Sequence, residues 1–357
     1  MQRTTITRRI KTRALELGFN LVGVAPAQTI PDVDAYRHWI NQNFHGEMSY
    51  LSRPDAVAKR TDPGRVLPGV RSVVVVGVSY FVRDLPPEIR TDPARGLIAR
   101  YAWGRDYHDV LTPLLRQLAD FVQIETGSEV RWKVYVDTGP VLERSFAVQA
   151  GLGFIGRNAM LISPDWASYL FLGEILLDVE LDYDEPDRRG TCGRCTRCLT
   201  ACPTKAFVAP YVLDSRRCIS YLTIELKGFI PHEMRPRMGN WIFGCDVCQE
   251  VCPWVRKFSR SVSEPVFQPD PDPDRIAPKL LSLINLDEIA FRQQFHGTPV
   301  QRARRRGLLR NVAVALGNWG DPVAVPALTQ ALSDPEPLVR GHAAWALGRI
   351  GLAVQQT

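Results

Sequence analysis

The sequence predicts an α+β protein built from three consecutive parts, the first an α/β-like unit and the last wholly α-helical. Three observations predict it. Helical and extended patterns alternate through residues 1–185, all eight cysteines of the 357-residue chain fall within 186–258, and a helical repeat closes the chain. This length allows two or three domains with real apolar cores. Apolar residues make up 45% and charged residues 23%, a globular balance that excludes disorder throughout. No run approaches the ~18 apolar residues of a membrane span.

In the first part, residues 5–17 set Ile6, Ile10, Ala14 and Leu17 on one helical face, and Gly18 stops the helix. Phe19–Val24 then reads as a buried strand. Thr7-Arg8-Arg9 before an apolar stretch ending in Val24-Ala25-Pro26-Ala27 looks like a twin-arginine export signal. Glu16 and Asn20 interrupt that stretch, so a cytoplasmic protein is expected. Further strands are expected at 72–80, 132–136, 159–162 and 169–177, and further helices at 32–43, 107–126 and 140–150. Together they argue for a mostly buried sheet whose strand order stays open.

Residues 186–258 show little apolar periodicity and are organised around ligands instead. In a cytoplasmic chain eight thiols point to metal or redox chemistry rather than to disulfides. Cys192-x2-Cys195-x2-Cys198-x3-Cys202-Pro203 is the run of bacterial iron–sulfur proteins. Cys245-x2-Cys248-x3-Cys252-Pro253 is a second run without its third cysteine, and Cys218 is left over. In two-cluster ferredoxin folds the cysteine before proline serves the other cluster. A ferredoxin-like unit is therefore expected, with one 4Fe–4S cluster on Cys192, Cys195, Cys198 and Cys252. The other would sit on Cys202, Cys218, Cys245 and Cys248. Two zinc sites would leave the first run unexplained. Clusters pass single electrons, so the residues before them should hold an acceptor.

A Pro- and Asp-rich linker is expected over 259–280, with Pro265, Pro269, Pro271, Pro273 and Pro278. In 281–357, Ala315–Gly320 recurs as Ala346–Gly351, and Asp321-Pro322 and Asp334-Pro335 open the following helices. The pattern is HEAT-like. Two units are too few to stand alone and must pack on the rest. Residues 301–357 also carry a net +4 of the chain's +6.

Two partial motifs are set aside. Gly151-Leu152-Gly153-Phe154-Ile155-Gly156 matches a dinucleotide fingerprint, but it follows a helix and precedes a strand, the reverse of the required context. Asp106-Tyr107-His108 begins a signature of His-ligated cobalamin whose glycine is replaced by Leu111.

Four segments resemble motifs of one family: Asp137-Thr138-Gly139-Pro140-Val141-Leu142-Glu143-Arg144, Gly151–Leu161, Cys218–Lys227 and Gly244–Pro253. With the paired clusters and the repeat tail, the chain is similar over nearly its whole length to the epoxyqueuosine reductases. The resemblance implies reduction of epoxyqueuosine to queuosine at the wobble position of tRNAs with GUN anticodons, those for Tyr, His, Asn and Asp. It implies base-off cobalamin between the first part and the clusters, an external low-potential electron donor, and a proton donor corresponding to Asp137. On this resemblance 1–185 is a cobalamin-binding catalytic domain, with contacts from Arg60, Tyr101, Asp137, Asn158, Ser220, Thr223, Lys227 and Asp246. The tail becomes a tRNA-binding domain, with Arg302, Arg304, Arg305, Arg306 and Arg310 on phosphates. A monomer with no membrane attachment is expected. The competing readings are a cobalamin-dependent reductive dehalogenase, an electron-transfer module serving another enzyme, and a tRNA-binding scaffold with structural clusters.

Overall fold

The computed structural model describes residues 3–127, 129–262 and 272–354. Its first part contains α1 (Arg3–Glu16), β1 (Leu21–Pro26), β2 (Ser72–Ser79), β3 (Leu97–Ile98), α2 (Tyr107–Thr126), β4 (Trp132–Tyr135), α3 (Glu143–Gln149) and β5 (Leu170–Leu177). A four-stranded sheet runs β1-β2-β5-β4, and every pairing in it is antiparallel. The layer is thus α+β. Register decides which residues face which helices. Val74 lies opposite Val24 and Ile175, and this set packs on Ile10 and Ala14 of α1 and Leu111 and Leu115 of α2. Val73 lies opposite Ala25 and Leu176, and this set packs on Phe146 and Ala147 of α3. β2 is buried on both faces, which is why Val73–Val76 lacks alternation. The helix expected at 140–150 starts only at Glu143, and the strand at 159–162 shortens to Leu161–Ile162, paired with Phe154–Ile155.

The middle part adds α4 (Ile219–Ile224), β6 (Trp241–Phe243) and α5 (Pro253–Phe258). β6 pairs in parallel with β3, so part of the first segment crosses over. Leu97, Ile98 and Trp103 belong to the same apolar core as Ile242 and Phe243. In the other direction, Cys252 and Val255 pack against the core of the sheet. The cluster segment therefore touches both cores.

The last part contains α6 (Arg304–Trp319), α7 (Val325–Ala331) and α8 (Pro337–Val354). Leu308, Val312 and Leu316 of α6 meet Val339, Ala343 and Ala346 of α8, and the same core takes in Leu222 and Phe243. The repeat has no core of its own. A Cβ on Gly317 would come within 2.7 Å of the Trp345 ring and 2.9 Å of the Ala346 Cα, so glycine there lets α6 and α8 approach closely. The matching Gly348 meets nothing. Pro265, Pro269 and Pro271 lie outside the described residues. The end of the expected linker is packed rather than extended, since Ile276, Ala277 and Leu280 are fully buried. Among the described residues no helix is long and apolar enough to cross a membrane.

Candidate active site

Where β4 ends, Asp137 adopts φ +59°, and the Thr138 N–H donates to the Val136 carbonyl across it at 2.6 Å. This is a tight three-residue turn with a positive φ at its centre, a form that costs ~1–2 kcal/mol outside glycine. Gly139 is required two residues on, because a Cβ there would lie 2.4 Å from the Tyr135 ring. The turn leaves the Asp137 carboxylate half-exposed beside the first turn of α2. Its Oδ2 accepts from the Tyr107 hydroxyl at 2.9 Å and from the Arg302 Nη1 at 3.4 Å. The His108 Nε2 lies 3.8 Å away, buried and without a hydrogen-bond partner.

The first turn of α2 fixes these neighbours. Asp106 caps it, accepting from the His108 N–H at 3.0 Å and lying 2.6 Å from the His108 Nδ1. Burial works against the Asp106 carboxylate, but its bonds to His108 outweigh that and hold it below its ordinary range. Tyr107 is clamped between Phe171 and His108, with ring centroids 4.4 Å and 4.1 Å away. Burial first, and then Asp137, push the Tyr107 phenol well up, so it stays a donor. Tyr50 is pushed up to about 12 by burial and by Glu225. From the C-terminal part, Arg302 reaches Asp137 with one nitrogen and Glu225 with the other, at 3.4 Å and 3.5 Å. One guanidinium thus links all three parts of the chain.

Behind the loop lie two more carboxyls. Glu174 of β5 is fully buried, and neither of its oxygens has a partner. Burial, then Glu143 and Asp137, raise it well above the carboxylate range. Glu143, at the start of α3, is pushed up to about 8 by burial and by Asp137.

Of the expected cobalamin contacts, several border this site. Arg60 is buried and donates to the Tyr50 and Gly139 carbonyls at 3.4 Å and 3.5 Å, bracing the Asp137 loop. Tyr101 stands edge-on to Tyr107 at 6.2 Å. Asn158 is buried; its Oδ1 accepts from the Met160 N–H, while its Nδ2 has no partner. Ser220 is half-buried, and Lys227 is exposed, its Nζ donating to the Ile224 carbonyl. Two expectations need correction. Thr223 is fully buried, its hydroxyl donating to the Ile219 carbonyl and accepting from the Gly244 N–H. Asp246 is also buried, its Oδ2 accepting from the Arg100 N–H at 2.8 Å and guanidinium at 3.3 Å. Both side chains are thus hydrogen-bonded within the fold, Asp246 through one of its two oxygens.

The basic run needs the same correction. Arg310 is fully buried and donates to the Leu222, Leu226 and Gly228 carbonyls. Arg305 is buried against Asp334 and donates to the Leu286 carbonyl at 2.6 Å. Helical spacing turned these two inward, so neither can meet a phosphate. Arg304 is exposed and Arg306 half-exposed.

The thiols fall into two neighbourhoods. Cys198 senses Cys192 and Cys252, and Cys252 senses Cys192 and Cys195. Cys245 senses Cys218 and Cys248, and Cys218 senses Cys202. Cys248 senses Cys218 and Cys202 and also Cys198, which sets the two groups side by side. Burial pushes the Cys245 and Cys248 thiols well up. Backbone N–H groups of Arg157 and Ala206 donate to the Cys192 and Cys202 sulfurs, each at 3.3 Å.

Tyr107, His108, Glu143, Glu174 and Glu225 were not expected at the site. A glutamate inside the otherwise apolar strand Leu170–Leu177 was the available signal for Glu174. For Tyr107 and His108 it was the Asp cap opening a long helix.

Eight cysteines on one segment, a half-exposed acid held by Tyr107 and Arg302, and docked helical repeats together are the frame of an iron–sulfur oxidoreductase. Residues 191–255 match the 4Fe-4S double cluster binding domain, 60–138 match Epoxyqueuosine reductase QueG, DUF1730, and 301–356 match HEAT repeats. The chain is 41% identical over 348 residues to the epoxyqueuosine reductase of Pseudomonas aeruginosa, covering 97% of this chain and 95% of that one. To the Escherichia coli enzyme it is 39% identical over 347 residues, covering 96% and 89%. A crystal structure of an epoxyqueuosine reductase with an epoxyqueuosine-modified tRNA-Tyr stem loop superposes with TM-score 0.88 at 35% identity, covering 98% of this chain and 91% of that one. The Bacillus subtilis enzyme, solved with its catalytic aspartate loop swung out of the active site, gives 0.87 at 34% identity, with the same coverage. The chain belongs to the epoxyqueuosine reductase family.

Proposed function

We propose that this chain reduces epoxyqueuosine to queuosine at the wobble position of tRNAs for Tyr, His, Asn and Asp. In our reading cobalamin receives electrons from the two clusters, and Asp137 donates a proton. The overall change is balanced: the epoxide takes up two electrons and two protons, two C–O bonds break, a C=C bond forms, and the oxygen leaves as water. The observation that carries the reading is Asp137, held in a strained turn and flanked by Tyr107, His108 and Arg302.

The residues fit the implied groups. The unpartnered Nδ2 of buried Asn158 is a donor in search of a ligand acceptor, and Tyr101, Ser220, Lys227 and Arg60 are the further candidate contacts. The first cluster would sit on Cys192, Cys195, Cys198 and Cys252 and the second on Cys202, Cys218, Cys245 and Cys248. Cobalamin, when bound, supplies a strongly reducing centre able to act on the epoxide-bearing ring.

The rest falls to the protein. An alkoxide is a poor leaving group, so a proton must arrive as the C–O bond yields. The proton would sit on Asp137 Oδ1, because Oδ2 already accepts from Tyr107 and Arg302. Tyr107 fixes the direction of the carboxyl through Oδ2. Exposed Arg304 and half-exposed Arg306, with Lys227, supply positive charge for tRNA phosphates.

The test is an anaerobic assay with epoxyqueuosine-bearing tRNA, added cobalamin and a low-potential reductant, read by nucleoside mass spectrometry. Cobalamin-dependent loss of one oxygen atom is the expected result. No loss, with both clusters intact and cobalamin bound, would overturn the substrate assignment.

A further inference from the structure

We infer that the exposed loop over the first cysteine group, together with α5 beside it, is a docking face for an acidic one-electron carrier protein. The inference rests on the proposed reading, in which electrons come from outside the chain.

Exposure selects the face. Thr191, Gly193, Arg194, Thr196 and Arg197 are all exposed, so Cys192 and Cys195 lie beneath a single layer of chain. From Trp241 to Glu250 no residue is exposed, although Cys245 and Cys248 are themselves half-buried like Cys192 and Cys195. The first group is thus the one whose flanking chain stands open to a partner. The loop and α5 form one surface, because the Trp254 Nε1 donates to the Thr191 carbonyl at 3.2 Å and the Trp254 ring packs edge-on against Phe154. Arg157 secures the loop from below, donating to the Gly193 carbonyl at 2.7 Å.

Charge selects the partner. Arg188, Arg194, Arg197, Arg256 and Lys257 are exposed around this surface, and none has an ion pair among the described residues. Of the nearby acids, Asp165 and Asp187 pair with Arg189, and Glu250 with Arg90 and Arg100. Cations without an ion pair among the described residues thus flank the first cysteine group, and positive charge predominates there. An acidic carrier would be steered to it, with fast, salt-sensitive association and a small transient contact. At each encounter the carrier loses one electron and the cluster gains one, with no bond made or broken. Two encounters supply one epoxide reduction.

RNA would also be drawn to positive charge, so the experiment separates the two. The cluster-loaded full chain is compared with its Arg194→Glu/Arg197→Glu/Arg256→Glu/Lys257→Glu variant by anaerobic stopped flow. The probe is a purified acidic flavodoxin in its fully reduced state, whose oxidation is read from flavin absorbance. At low salt the second-order rate should fall at least about tenfold in the variant, and its ionic-strength dependence should flatten. Iron and sulfide content and cluster bleaching by the methyl viologen radical, a small cation that needs no docking, report an intact variant. Substituting Lys for the three arginines should keep the rate. Equal rates for the native chain and the charge-reversed variant would overturn the inference. Lost affinity for a tRNA stem loop would also overturn it, giving the face to RNA. Because the readout is electron entry, a chain that accepts electrons here yet leaves epoxyqueuosine untouched fails only the functional reading.

Discussion

Arg302 separates two roles that a basic run in sequence cannot. It bridges Asp137 and Glu225 rather than standing free for phosphate. If it orients the Asp137 carboxylate, Arg302→Met should lower kcat by about 10–100-fold with little change in KM for the stem loop. Arg302→Lys should recover part of the loss. A raised KM with unchanged kcat would instead make it a phosphate anchor. Glu174 yields a second expectation at this scale. Its folded-state proton affinity, like that of Glu143, is raised, so the native chain keeps protons that the unfolded chain releases. Stability should therefore fall as pH rises from the ordinary glutamate range to about 8, the value for Glu143. Each pKa unit is worth about 1.4 kcal/mol. Thermal unfolding of the cluster-loaded protein across that window should show a shallower slope for Glu174→Gln, and parallel slopes would refute the buried-proton account.

Among the elements, α6 shows why inward and outward arginines must be told apart by structure. Arg310 and Asn311 cross-link α6 to the end of α4 and to β6 through the Leu222, Leu226, Gly228, Thr223 and Ile242 carbonyls. Arg310→Met leaves three buried carbonyls unpaired, each worth about 1–3 kcal/mol. We expect a large drop in unfolding temperature with no change in the salt dependence of stem-loop binding, measured on the same preparation. The sequence did disclose much at this scale. The helix expected at 107–126 spans Tyr107–Thr126, because an Asp cap and a terminal glycine bracket an amphipathic run. The strand at 72–80 spans Ser72–Ser79, because a β-branched run buried on both faces has no alternative. Pairings that join distant segments through two or three residues, such as β3 with β6, leave no periodicity to detect. Thr223 and Asp246 sit beside cysteines, and sequence position alone could not show that Gly244 and Arg100 had already claimed their oxygens. Asp137 was legible as a turn residue, but the company it keeps was not, since Tyr107 and Arg302 arrive from 30 residues before and 165 residues after it.

At the scale of the whole molecule, the cluster segment is the joint. It shares one core with the repeats and another with the sheet, so electron supply, acid and substrate face are held in one packed unit. The two repeats, lacking a core of their own, gain rigidity only by being docked, and this fixes Arg302 over Asp137. In the proposed reading the basic surface divides by function, Arg304 and Arg306, exposed and half-exposed, serving tRNA and the exposed arginines around Cys192 and Cys195 serving electron entry. If this division holds, Arg304→Ala/Arg306→Ala should weaken stem-loop binding and make the slope of log affinity against log salt shallower by about 1–2. Its rate of reduction by flavodoxin should match that of the native chain, because no charge around the first cysteine group has changed. Arg305 is left in place in this test, since its removal would unpair buried Asp334 and confuse affinity with folding. An unchanged salt slope would move tRNA off this surface. The phosphates would then have to be met from the Lys227 side, where the Nζ donates to the Ile224 carbonyl.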